Sequence, residues 1–165
     1  MESGPLHQNI GHTLELLFKL YIFTHFEPTK NYKHMKLLAG VSSKLLKNQK
    51  SLEKQIIEQR LNTHDLRYLL ILCLAFGPRS FFNKIDCTIK NWEYRTEKHE
   101  IFHEPAVRPN ISDFKRGIYN LNTRYSSSFD TRYPIKGYKH LPNSELLIVG
   151  ASTFYDELKA YELRT

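Results

Sequence analysis

Ile10-Gly-His-Thr-Leu-Glu-Leu-Leu-Phe-Lys-Leu-Tyr-Ile-Phe-Thr-His-Phe26 decides the reading of this chain. The run is apolar almost all the way round a helix, yet it holds His12, Glu15 and Lys19. At about 100° per residue these three fall within about 60° of one another, in the sector of Leu16, Phe23 and Phe26. A surface helix sets its charges opposite its apolar stripe, whereas here the two coincide. The expectation is a central helix whose polar groups meet partners from elsewhere in the fold. Glu15 and Lys19 also stand in the favoured i, i+4 order for an ion pair.

Working outward, Glu27-Pro28 stops this helix, because proline disfavours helix at the residue before it. Residues 29–50 carry Lys30, Lys33, Lys36, Lys44, Lys47 and Lys50 and no acid. Leu37, Leu38, Val41, Leu45 and Leu46 lie at helical spacing among them. Such a segment can hold phosphate, or it can be a solvated helix face. A helix is expected to run from a Ser51 cap to Leu61. Another follows over Asn62–Phe76, with Thr63 as cap and Asp65 in the first turn, and Gly77-Pro78 ends it.

Phe82, Ile85, Ile89 and Trp92 predict a mixed helix over 81–102. A loop on Pro105 and Pro109 follows, then a helix over 113–121 capped by Ser112, then an irregular connection over 122–142. The last element is capped by Asn143 or Ser144 and has the seam Leu147, Ala151, Phe154, Leu158 and Tyr161. Gly150 either weakens it or admits a neighbouring helix at close range. Five to six helices with no alternating strand predict an all-α, single-domain bundle over residues 1–165.

Composition agrees with one domain. A chain of 165 residues, 41% hydrophobic and 13% aromatic, can bury an ordinary core without disulfides or metals. Its formal charge of +7 and pI of about 9.4 favour acidic partners, or simply keep the protein dissolved. Cys73 and Cys87 form no CxxC pair and fit reduced, mostly buried thiols of a cytosolic protein. The first apolar run is broken by Glu15 and Lys19, and Tyr68–Phe76 is about half a membrane span, so a soluble cytoplasmic protein with no membrane segment is expected.

Three motifs, in order, resemble one family. His12-Thr-Leu-Glu-Leu-Leu-Phe-Lys19 resembles the H-x-x-E-x-x-x-K helix of the HEPN domain (higher eukaryotes and prokaryotes nucleotide-binding). Thr63-His-Asp-Leu66 resembles its T-H-D-L motif, and Arg132-Tyr-Pro134, followed by a long last helix, its R-Y-P motif. The resemblance spans residues 10–163 and implies an inserted helix and loop around 80–115. The family's first helix would precede His12, where only eleven residues stand. The family's ribonucleases carry R-x4–6-H on one helix. This chain has none: three residues separate Arg60 from His64 and Arg95 from His99.

The resemblance therefore implies a non-catalytic member that binds RNA or a nucleotide. It would act with a nucleotidyltransferase-type protein in a toxin–antitoxin or defence setting, and self-associate as a homo-oligomer such as a dimer. The expected polar centre is His12, Glu15, Lys19, His64 and Asp65, with Glu15 or Lys19 meeting Arg132 or Asp65. A plainer account makes Asp65 a cap and His64 a packed side chain. The expected binding residues are Lys33, Lys36, Arg124, Arg132 and Tyr133, since arginine among aromatics holds phosphate and stacks on bases. The same composition describes a loop pinned to the bundle. No metal-ligand spacing, phosphate-cradling glycine loop or cofactor motif is present, and no cofactor is expected. Two alternatives stand beside this reading: a ribonuclease that uses His64 in a non-standard acid–base pair, and a purely structural interaction protein.

Overall fold

A computed structural model describes residues 3–28, 49–94, 108–125 and 143–163. Among these residues the chain is all α, with six helices and no strand. They are α1 (Ser3–His25), α2 (Gln49–Ile57), α3 (Leu66–Phe76), α4 (Arg79–Asn91), α5 (Ile111–Tyr125) and α6 (Ser144–Glu162). The expected helical bundle is the observed one.

α1 is the element on which the others are arranged, packing chiefly on α3 and α6. Ile10, Leu14, Phe18, Tyr21 and Ile22 recur at helical spacing and are buried, so one side of α1 forms the centre of the core. Against it lie Leu66, Leu69, Leu70 and Cys73 of α3 and Leu147, Phe154 and Leu158 of α6. α4 and α5 close the other side of α6. Aromatic rings fill the end of the bundle: Tyr21 stacks on Phe81 at 4.8 Å and meets Phe154 edge-on at 5.2 Å. α1 and α6 run parallel, since Ser144 Oγ lies 3.2 Å from His7 Nε2 at one end and His25 packs on Tyr161 at the other.

Two glycines mark close approaches. A Cβ on Gly150 would collide with the ring of Phe114, so the missing side chain is where α5 seats on α6. A Cβ on Gly77 would collide with the phenol of Tyr21.

Several boundaries differ from the sequence expectation, each for a local reason. α1 begins at Ser3 and not at Ile10, because Leu6, His7 and Ile10 extend its pattern upstream. Ser51 lies inside α2 and accepts from Gln55 Nε2 instead of capping. α2 ends at Ile57 and not Leu61: Gln59 has φ 54°, and its N–H and that of Arg60 turn back to Ile56 O and Gln55 O, which is a Schellman closure. α4 ends at Asn91, with Trp92 beyond it and 47% exposed. α5 runs from Ile111 to Tyr125, so Ser112 is helical, and the Asn110 side chain accepts its N–H at 2.7 Å. Leu16 is exposed rather than turned to the core, as is Tyr161 at the end of the α6 seam. Cys87 is exposed, although Cys73 is buried as expected. Among the described residues no helix is long and apolar enough to cross a membrane.

Candidate functional site: a buried carboxylate shared by two helices

The site begins with a residue that ought to be outside. Glu15 is 4% exposed on the central helix, where an unpaired carboxylate would be strongly unfavourable. One turn on, Lys19 Nζ donates to Glu15 Oε1 at 2.7 Å. Forty-nine residues away, His64 Nδ1 lies 3.0 Å from Oε2 and 3.1 Å from Oε1. A carboxylate only accepts, so the Nδ1–H of His64 donates. The side chain of His64 is 75% exposed and that of Lys19 17%. The cluster thus has its anion buried, Lys19 mostly covered and His64 turned toward water.

The segment before α3 sets His64 in place. Asp65, with extended backbone (φ −76°, ψ 100°), is the N-cap, and its carboxylate accepts from Arg67 N at 3.0 Å and Tyr68 N at 3.1 Å. This corrects the expectation of Thr63 as cap and Asp65 as a first-turn acid, and agrees with the plainer account in which Asp65 is the cap. Thr63 Oγ1 instead accepts from Asp65 N. The third tie is the buried Asn122 of α5, whose Oδ1 accepts from Leu66 N at 2.7 Å. α3 thereby starts at a fixed point against both α1 and α5, and the ring of His64, one residue before the cap, reaches Glu15.

Of the five residues expected at the centre, the structure brings three together. Glu15, Lys19 and His64 converge; Asp65 turns away to cap α3 and does not pair with Glu15 or Lys19; His12 is exposed on α1. His64 is not a packed histidine, because three quarters of its side chain is in solvent. Lys33, Lys36, Arg132 and Tyr133 lie outside the described residues. Arg124 sits in the last turn of α5. Asn122 is the residue that the sequence reading missed by placing it in a connection. Its signal was its position one turn after Ile118, on the apolar stripe of Phe114, Ile118 and Leu121, where a polar residue needs a partner.

Other reactive groups lie away from this cluster. Cys73 is enclosed by the core, and burial pushes its thiol well above the ordinary range, leaving little thiolate. Burial likewise raises the phenol of Tyr68 to about 12. Among the described residues no three His, Cys, Asp or Glu side chains gather as metal ligands would. Compared with known family models, with curated proteins and with solved structures, the chain matches none.

Proposed function

We propose that this chain is a HEPN-like helical module that binds RNA or a nucleotide without cleaving it. One observation carries the reading: the H-x-x-E-x-x-x-K helix and the T-H-D-L segment, distant in sequence, share one carboxylate, with His64 Nδ1 3.0 Å from Glu15. Two motifs that resemble one family by sequence alone would have no reason to touch. Their contact supports a common polar centre, with the basic and aromatic residues Lys33, Lys36, Arg124, Arg132 and Tyr133 supplying phosphate contacts and stacking. The same resemblance implies a nucleotidyltransferase-type partner and self-association.

Fluorescence anisotropy with a short single-stranded RNA tests this. Binding weakens as salt rises, because each phosphate contact releases counterions. The double substitution Arg124→Ala with Arg132→Ala lowers affinity and reduces the salt slope by about one unit per lost contact. Failure to bind RNA or nucleotide at low salt overturns the reading.

A second reading rests on the exposure of His64. A ring held by a buried carboxylate at Nδ1, with most of its surface in solvent, has the arrangement of a general base oriented by an acid. Cleavage of RNA that His64→Ala abolishes, while binding persists, would select this ribonuclease reading over the first.

A further inference from the structure

The ring of His64 is bonded at one nitrogen only. Nδ1 lies 3.0 Å from Glu15 Oε2, and among the described residues Nε2 has no hydrogen-bond partner. With the Nδ1 proton held by the carboxylate, the lone pair of the neutral form of the ring is at Nε2. That nitrogen belongs to a side chain 75% exposed, so it can carry a new group that a packed histidine could not.

The surroundings suit a nucleophile whose ring gains positive charge as it reacts. Glu15 is buried and fixed by Lys19 Nζ at 2.7 Å, so a positioned carboxylate faces Nδ1, where part of the new charge comes to lie. The backbone is held as well: Asp65 caps α3, and Leu66 N donates to the buried Asn122 Oδ1 at 2.7 Å. A side chain seated in this way reorganises little during reaction. The Asp65 carboxylate would repel an incoming anion, but it accepts from Arg67 N and Tyr68 N and lies 3.6 Å from Arg67 Nε.

We propose that His64 Nε2 is a phosphoryl-acceptor site, served by donors whose leaving group departs without help from an acid. Phosphoramidates and acyl phosphates are of this class, and alkyl phosphates are not. The restriction follows from the hydrogen bonds of the ring, which among the described residues go to Glu15 alone, so no acid is bonded in place beside Nε2. With phosphoramidate, whose nitrogen is already protonated, the Nε2 lone pair attacks phosphorus and a new N–P bond forms. The N–P bond of the donor breaks, and ammonia leaves with its electron pair. The ring becomes an N-phosphorylated imidazolium that keeps its Nδ1 proton on Glu15, and nothing is oxidised or reduced. Glu15 acts here as a positioning residue. The proposal shares His64 with the ribonuclease reading but needs neither RNA nor cleavage, so it can fail or hold separately from both readings of function.

The test is incubation of the full chain with potassium phosphoramidate at about pH 8, followed by mass-spectrometric mapping of the label. His64 should be labelled faster than any other of the eight histidines, and phosphorus NMR should show the Nε2 isomer. Glu15→Gln should slow labelling of His64 about tenfold and leave the other histidines unchanged, with circular dichroism showing that the variant still folds. The other histidines serve as internal controls, because a general loss of structure would alter them too. Lack of label on His64, the Nδ1 isomer, or a His64 rate indifferent to Glu15→Gln overturns the proposal. If Glu15→Gln fails to fold, the isomer and the rank of His64 in the wild-type chain still decide.

Discussion

His64 Nδ1 lies 3.0 Å from Glu15 Oε2, joining the start of α3 to the middle of α1 across 49 residues of chain. The two ends of this bond are unlike. Glu15 is sealed in the bundle, and His64 stands largely in water. Lys19 is the donor that the carboxylate cannot easily replace, since water reaches Glu15 poorly and the Lys19 side chain is itself mostly covered.

The order of stability losses in this cluster follows from that asymmetry. Lys19→Met leaves a buried carboxylate short of its closest cation and should cost about 3 kcal/mol. Glu15→Gln keeps the shape and an acceptor oxygen for Lys19, for a loss of about 1–2 kcal/mol. His64→Ala removes a mostly solvated partner and should cost under about 1 kcal/mol. Urea unfolding midpoints give the ranking, and a His64→Ala loss larger than that of Lys19→Met would contradict it.

At Gly150 two effects oppose each other. Alanine in a helix interior gains about 1 kcal/mol over glycine, but overpacking a filled core typically costs about 1–3 kcal/mol. The ring of Phe114 occupies the space of the new methyl group, so Gly150→Ala is expected to destabilise by about 1 kcal/mol net. Combined with Phe114→Leu, its cost should shrink or change sign, which a double-mutant cycle in denaturant measures.

Gln59 closes α2 with φ 54°, a conformation that penalises residues with a Cβ by about 1–2 kcal/mol. Glycine removes that strain but adds freedom to the unfolded chain, an opposing term of about 0.5–1 kcal/mol. Gln59→Gly should therefore raise stability by about 0.5–1 kcal/mol, seen as a higher thermal midpoint. Gln59→Val should lower it, since a β-branched residue is poorly accommodated at positive φ.

Asp86 couples stability to acid. Its carboxylate holds Lys90 and accepts from Ile111 N at 2.9 Å, joining α4 to the start of α5. The hydrogen bond from Lys90, then that from Ile111 N–H, lower its pKa from the ordinary 3.8. A depressed folded-state value means stabilisation that is complete above the unfolded pKa and lost as pH falls through the folded one. Wild-type chain should thus lose stability below the ordinary carboxylate range, whereas Asp86→Asn should lose less across that window. Denaturant midpoints taken from neutral pH downward distinguish the two, and equal slopes would refute the coupling.

The Glu15–Lys19 pair, the all-α class and the terminal helix, with its cap narrowed to Asn143 or Ser144, were legible in the sequence, because each depends on residues within about one or two turns of one another. Gly150 was legible as a choice between weakness and close packing, and Phe114 decided it for packing. What local pattern could not supply was which polar group would answer Glu15. The expectation set Glu15 or Lys19 against Arg132 or Asp65, but the cap of α3 engages the Asp65 carboxylate with two backbone N–H groups and leaves the ring of His64 beside it to reach α1.

The same limit explains Asn122 and Leu16. Burial of a side chain is a property of the helix facing it, and that helix lies tens of residues away in the chain. The sequence by itself determined that α1 is apolar on every side and carries a polar triplet. Only the tertiary structure decided which side packs in the bundle and which side holds the shared carboxylate, because packing assigns each face of a helix to a neighbour that local pattern does not specify.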